Sequence, residues 1–120
     1  MRSRTRRWGL LLAAVLSAVL GLGVVQAGAA EQTPYRLRVD AVAYHLPGRT
    51  ASGLQVRKGV VAVDPALIPL GTRLFVPGYG NAIAADVGVA IKGRIIDLWM
   101  PSTAEARKWG RKTVVITVFR

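Results

Sequence analysis

The sequence has no cysteine, one histidine, two phenylalanines and only six acidic residues in 120. Without cysteine there can be no disulfide, no thiolate nucleophile and no Cys-based zinc site. His45 stands alone, which removes the usual route to a transition-metal centre, so neither a metal nor another cofactor is expected. Runs of like charge are also missing beyond the first seven positions. Arg36, Arg38, Arg49, Arg57, Lys58, Arg73, Lys92, Arg94, Arg107, Lys108, Arg111 and Lys112 are spread singly or in pairs. That spacing describes a solvated basic surface rather than a shaped stripe for nucleic acid.

What is present begins with four arginines, Arg2, Arg4, Arg6 and Arg7, followed by an apolar run from Trp8 to Val25 broken only by Ser17. The small residues Ala27-Gly28-Ala29-Ala30 close the segment. A basic head, apolar middle and small-residue exit make up a secretory signal, so residues 1–30 are expected to be removed, or to persist as an N-terminal anchor. Either way the rest of the chain is expected outside the cytoplasmic membrane, and membrane contact only through an uncleaved N-terminal segment. The remaining 31–120 keep 13 of the 17 basic residues and all 6 acidic ones, a net charge of +7. Outside the cell, nucleic acid is not the natural partner of such a surface, and anionic wall polymer suits it better.

Ninety residues bury only about two thirds of their unfolded surface. One small domain follows, which excludes a two-domain nucleotide enzyme, a multi-helix transporter and a repeat array. Alternation from Tyr35 puts Leu37, Val39, Ala41 and Ala43 on one face of a strand. Pro47, Gly48 and Gly53 mark residues 45–53 as a loop, and Gln55 to Val63 reads as a second extended run ended by Asp64-Pro65. Further strands are expected at Arg73 to Val76, Asn81 to Ala85, Arg94 to Trp99 and Thr113 to Phe119. Ser102-Thr-Ala-Glu105 is a capping box that opens one short helix ending before Gly110. Six short strands and one helix predict an all-β fold, a small closed barrel whose closure removes exposed sheet edges.

Of the acidic residues, Glu105 serves the helix cap, and Glu31 and Asp40 are expected to face solvent. Asp64, Asp86 and Asp97 each follow an apolar segment: Val60-Val-Ala-Val, Ile83-Ala-Ala and Ile95-Ile. A carboxylate in apolar strand is costly unless paired or protonated, and desolvation raises its pKa toward what a general acid needs. A turn role, ahead of Pro65 for Asp64 and ahead of Gly88 for Asp86, stands beside that reading.

The blocks Ala43-Tyr44, Thr50-Ala-Ser-Gly53, Gly59-Val-Val-Ala-Val-Asp-Pro65, Ile68-Pro-Leu-Gly-Thr72, Pro77-Gly-Tyr-Gly80, Ala84-Ala-Asp-Val-Gly88, Ile91-Lys-Gly93 and Ile96-Asp97 resemble the 3D domain, named for its three aspartates. That family includes the MltA-type lytic transglycosylases and the stationary-phase survival proteins of spore-forming bacteria. The resemblance runs from about Val39 to Phe119. It implies a six-stranded double-psi β-barrel, a cleft holding Asp64, Asp86 and Asp97, and Asp97 as the catalytic acid. It also brings Thr50 and Ser52 among the candidate substrate-binding residues. Family members commonly have Thr and a small residue where this chain has Val87 and Val89, so a hydroxyl is lost beside Asp86 and bulk is expected beside the cleft.

The activity so implied is cleavage of peptidoglycan between N-acetylmuramic acid and N-acetylglucosamine, leaving 1,6-anhydromuramyl ends, with glycan strands as the partner. One carboxyl can serve it alone, as acid to the glycosidic oxygen and then as base to the C6 hydroxyl. Asp86 would ease the oxocarbenium-like charge, and Asp64 would hold local hydrogen bonds. Tyr44, Tyr79 and Trp99 are candidates for sugar stacking, although a small domain also needs tryptophan in its core, and Lys92 lies between Asp86 and Asp97. Two other classes remain open. The barrel and its basic surface could bind wall glycan without catalysis, or Asp86-Val-Gly88, a degenerate Asp-Thr-Gly, could form the dyad of a dimeric aspartic protease.

Overall fold

The structure, a computed structural model, describes residues 33–120. The signal or anchor expected over residues 1–30 lies outside them. Six strands, β1 (Tyr35–Tyr44), β2 (Val60–Ala62), β3 (Arg73–Val76), β4 (Gly80–Asp86), β5 (Ile95–Trp99) and β6 (Lys112–Phe119), form a closed barrel in the order β1-β5-β2-β4-β3-β6. β1 with β5 and β2 with β4 are parallel pairs, and the other neighbours are antiparallel. This is the six-stranded double-psi β-barrel with one short helix, α1 (Thr103–Trp109).

Alternation fills the barrel. Val39 and Ala41 of β1, Ile96 and Leu98 of β5, and Ile116 and Val118 of β6 are fully buried in one core with Val61, Leu74, Val76 and Ala84. Alanines at 41, 82 and 84 leave room for the larger aliphatic side chains, as the interior of a narrow barrel requires.

The second extended run is shorter than its residues suggest, because only Val60–Ala62 enter the sheet. Gln55 pairs instead with Arg49, and the Val56 N–H donates to the Gly48 carbonyl, so residues 48–56 fold back on themselves as a loop. Gly59, at φ +99°, then makes the turn into β2 with an ideal Cβ position only 3.4 Å from the Asn81 carbonyl oxygen. A side chain there would be strained by its backbone angle and crowded by β4.

Helix α1 begins at Ser102, whose hydroxyl accepts from the Glu105 N–H at 3.1 Å. The return bond differs from the full capping box: the Glu105 carboxylate accepts from the Ser102 hydroxyl at 3.3 Å, not from its backbone N–H. The helix buries no residue completely, yet Ala106 and Trp109 pack on the core and the Trp109 indole N–H donates to the Ala41 carbonyl at 3.1 Å. Because the cap is one of few local supports, Ser102→Ala is expected to cost about 1 kcal/mol, read as a lower denaturation midpoint with unchanged slope. An unchanged midpoint would assign the helix start to Trp109 packing alone.

Candidate functional site

Register brings two of the aspartates together. Asp97 of β5 lies opposite Ala62 of β2, and Ala62 lies opposite Asp86 of β4. Ile96 and Leu98 fill the core, so Asp97 and Trp99 project from the outer face of β5. Simple alternation along β4 would put Asp86 inside the barrel with Ala82 and Ala84. It does not, because β4 carries a bulge: Val61 pairs with Ala84 but the next residue, Ala62, pairs with Asp86. The extra residue, Ala85, turns Asp86 to the outer face beside Ala62. The small residue Ala62 thus stands between Asp86 and Asp97 in the register.

The two carboxylates are held differently. One oxygen of Asp86 accepts from the Ala51 and Val87 N–H groups, both at 2.9 Å, which ties residues 50–54 to the end of β4. Asp97 is half-buried, and its Oδ1 is enclosed with no hydrogen-bond partner. Burial first, and the negative charge of Asp86 second, push the Asp97 pKa up from 3.8 to about 6. Tyr44, at the end of β1 opposite Trp99, has the other enclosed hydroxyl without a partner. Burial and then the charges of Asp86 and Asp97 push its pKa up to about 12, so it remains a neutral donor. Buried polar atoms without partners are rare in native proteins, and two of them lie in this one site.

Asp64 has a different task. Its carboxylate accepts from Gly93 N–H at 2.8 Å and Ala66 N–H at 3.0 Å, and its backbone carbonyl accepts from Leu67 and Ile68. The Gly93 bond, then the Ala66 bond, and more weakly the charge of Lys92, hold its pKa below the usual value. Asp64 thus initiates the expected turn and also pins the segment that leads into β5. Lys92 is exposed, with its charge felt at Asp64.

The other candidates divide. Trp99 is half-buried outside the core, its indole N–H donating to the Leu46 carbonyl at 2.9 Å and its ring 5.5 Å from His45. His45 Nδ1 donates to the Met100 carbonyl at 2.7 Å, so the histidine braces the loop. Ser52 is exposed on the loop that Asp86 anchors. Thr50 is buried, and its hydroxyl accepts from Leu54 N–H at 3.1 Å, which spends it on the loop. Tyr79 is a correction to the stacking expectation. It is 7% exposed, and its hydroxyl accepts from Gly59 N–H and donates to the Trp99 carbonyl, both at 2.7 Å. It ties the turn before β2 to β5 and lies too deep to stack a sugar beside the aspartates. Val89 is 96% exposed. Asp40, expected in solvent, is paired with Arg111 at 2.9 Å and accepts from Thr113. Among the described residues, no group of three or more His, Asp or Glu side chains is placed to hold a metal ion.

The sequence profile of the 3D domain matches residues 59–120, which carry Asp64, Asp86 and Asp97. The chain belongs to the 3D domain family. Among curated relatives, Bacillus subtilis YocH, named a cell wall-binding protein, is 44% identical over 97 residues, covering 73% of this chain and 34% of YocH. B. subtilis YabE, named a putative cell wall shaping protein, is 49% identical over 75 residues, covering 59% of this chain and 18% of YabE. This 3D domain chain therefore spans about a third of YocH and less than a fifth of YabE. The solved lytic transglycosylase MltA of Escherichia coli superposes with a TM-score of 0.52 at 26% identity, over 62% of this chain and 28% of MltA. MltA has also been solved with bound chitohexaose.

Proposed function

We propose that this 3D domain acts outside the cytoplasmic membrane as a peptidoglycan lytic transglycosylase, with Asp97 as general acid and then base. The observation that carries the reading is the Asp97 carboxyl, enclosed at Oδ1, unpartnered and raised to about 6 beside a second carboxylate. A pKa near the working pH keeps a useful fraction protonated and leaves a competent base after the proton has gone. In the first step Asp97 protonates the glycosidic oxygen between N-acetylmuramic acid and N-acetylglucosamine, and the bond to the muramic C1 breaks. The C6 hydroxyl of the same muramic sugar then attacks C1 and gives its proton back to Asp97. Asp86, fixed by two backbone N–H groups, lends negative charge to the oxocarbenium-like stage. Trp99, paired with Tyr44 across β1 and β5, lies along the same outer face as Asp97 and is available to a sugar ring. The likeness to MltA supports this chemistry.

The likeness to YocH, named a cell wall-binding protein, favours a second reading, a module that holds wall glycan without cutting it. Digestion of purified sacculi by residues 31–120, with mass analysis of soluble muropeptides, separates the two: binding with no released fragments would leave the binding module standing.

A graded test lies in Asp86→Asn. The amide oxygen can still accept from Ala51 and Val87, so the loop stays anchored, but the charge next to Asp97 is gone. Its rate is expected to fall less than that of Asp97→Asn. Because burial remains while the second cause of the Asp97 shift disappears, the fall in activity on the alkaline side should move to lower pH. A pH profile identical to that of the wild type would deny that Asp86 acts on Asp97.

A further inference from the structure

On a different part of the barrel, Lys58, Gly78, Tyr79, Met100, Glu105, Lys108, Trp109 and Lys112 line a cleft of about 350 Å³ that contains none of the three aspartates. Its floor is aromatic: the Tyr79 and Trp109 rings meet edge to face at 6.4 Å. Two of its three lysines are seated on those rings, the Lys112 ammonium 3.9 Å from the Trp109 centroid and the Lys58 ammonium 5.7 Å from that of Tyr79. A ring face positions an ammonium group without cancelling its charge. The ion pair found among the described residues is Arg111 with Asp40, so Lys58, Lys108 and Lys112 are not neutralised by a carboxylate salt bridge. Glu105, the acidic residue of the lining, is held at the helix cap by the Ser102 hydroxyl, and this one carboxylate against three lysines leaves the cleft a net charge of +2.

We propose that this cleft binds a phosphodiester-linked polyanion of the cell wall. The choice among anions follows from the donors. Three ammonium groups around one cleft take phosphate oxygens as point charges from any direction, which suits an anion whose charge recurs along a chain. The Tyr79 and Trp109 edges supply apolar contact for the carbon segments between successive phosphates. The site would hold the domain on the wall while the aspartate cleft meets the glycan. It rests on the wall location proposed above but not on catalysis.

The test compares the wild type with K58Q/K108Q/K112Q for binding to purified wall, before and after hydrofluoric acid removes phosphodiester polymers and spares the glycan. Both proteins carry Asp97→Asn so that the wall stays intact. On native wall the triple variant should bind about tenfold more weakly, as three partly screened charges would give. Stripping the wall should weaken the wild type by a similar factor and change the variant little. K58R/K108R/K112R, which keeps the charges, should restore binding and guards against loss through misfolding. Equal binding of the wild type to native and stripped wall would overturn the proposal, and so would undiminished binding by the glutamine variant. Since binding is read without turnover, an absence of glycan cleavage would leave this result interpretable.

Discussion

Replacing Asp97 by asparagine is expected to slow glycan cleavage by at least about a hundredfold while the barrel stays folded, because a positioned general acid contributes that much or more. Asparagine has nearly the same shape, and the core beneath, Ile96 and Leu98, is untouched. The same substitution has a second, independent signature. Folding raises the Asp97 pKa from 3.8 to about 6, so the folded chain prefers the protonated acid. The stability linked to this group is complete below about pH 4 and is lost as pH rises through about 6. Asp97→Asn cannot titrate there, so its denaturation midpoint should lack that part of the decline between about pH 4 and pH 7. Activity should move in the same sense, falling above about pH 6 as the acid form is depleted. A variant that cuts at the wild-type rate and keeps the wild-type stability profile would remove Asp97 from the chemistry.

Much of this site was legible before any fold was known, and the illegible part has a definite physical origin. Each aspartate announced itself by following an apolar strand, and the Pro65 and Gly88 neighbours gave the alternative turn roles. Asp64 takes the turn role, and its pKa is lowered rather than raised, since its carboxylate accepts from Ala66 of its own turn and from Gly93. Period two, however, assigns Asp86 to the barrel interior with Ala82 and Ala84. The bulge that rescues it depends on the register of β2 against β4, a pairing between residues more than twenty positions apart. The nearest local hint was Ala62 between valines, the small residue that stands between the two aspartates in the register. Tyr79 misled because its Pro77-Gly78 turn looks like a surface feature, while the hydroxyl is drawn inward by Gly59 N–H and the Trp99 carbonyl. Gln55 likewise reads as strand until Arg49 offers it a closer partner. For Asp86 and Tyr79 a long-range pairing overrode the local preference, and for Gln55 a short-range bridge did.

The chemical end left on the glycan is expected to switch completely between mechanisms, which makes it the sharper discriminator. A hydrolase needs a carboxylate free to activate water in addition to its acid. Here one oxygen of Asp86 is already bound by Ala51 and Val87 N–H groups, and both Asp64 oxygens are taken by Ala66 and Gly93. In Asp64 those hydrogen bonds stabilise the charged carboxylate and weaken it as a base. Asp97, raised to about 6 by burial and by the charge of Asp86, is the group best able to accept the second proton. Its nearest source in the reacting sugar is the C6 hydroxyl of muramic acid, and closing that ring excludes water from the product. Cleavage should therefore yield 1,6-anhydromuramyl ends, lighter by one water than hydrolytic fragments and inert to borohydride. Ordinary reducing ends, from a preparation whose activity disappears in Asp97→Asn, would keep the glycan-cleaving role and assign the base to Asp86 acting through water. An Asp86→Asn variant would then be as inactive as Asp97→Asn, whereas the intramolecular route predicts that it retains measurable turnover.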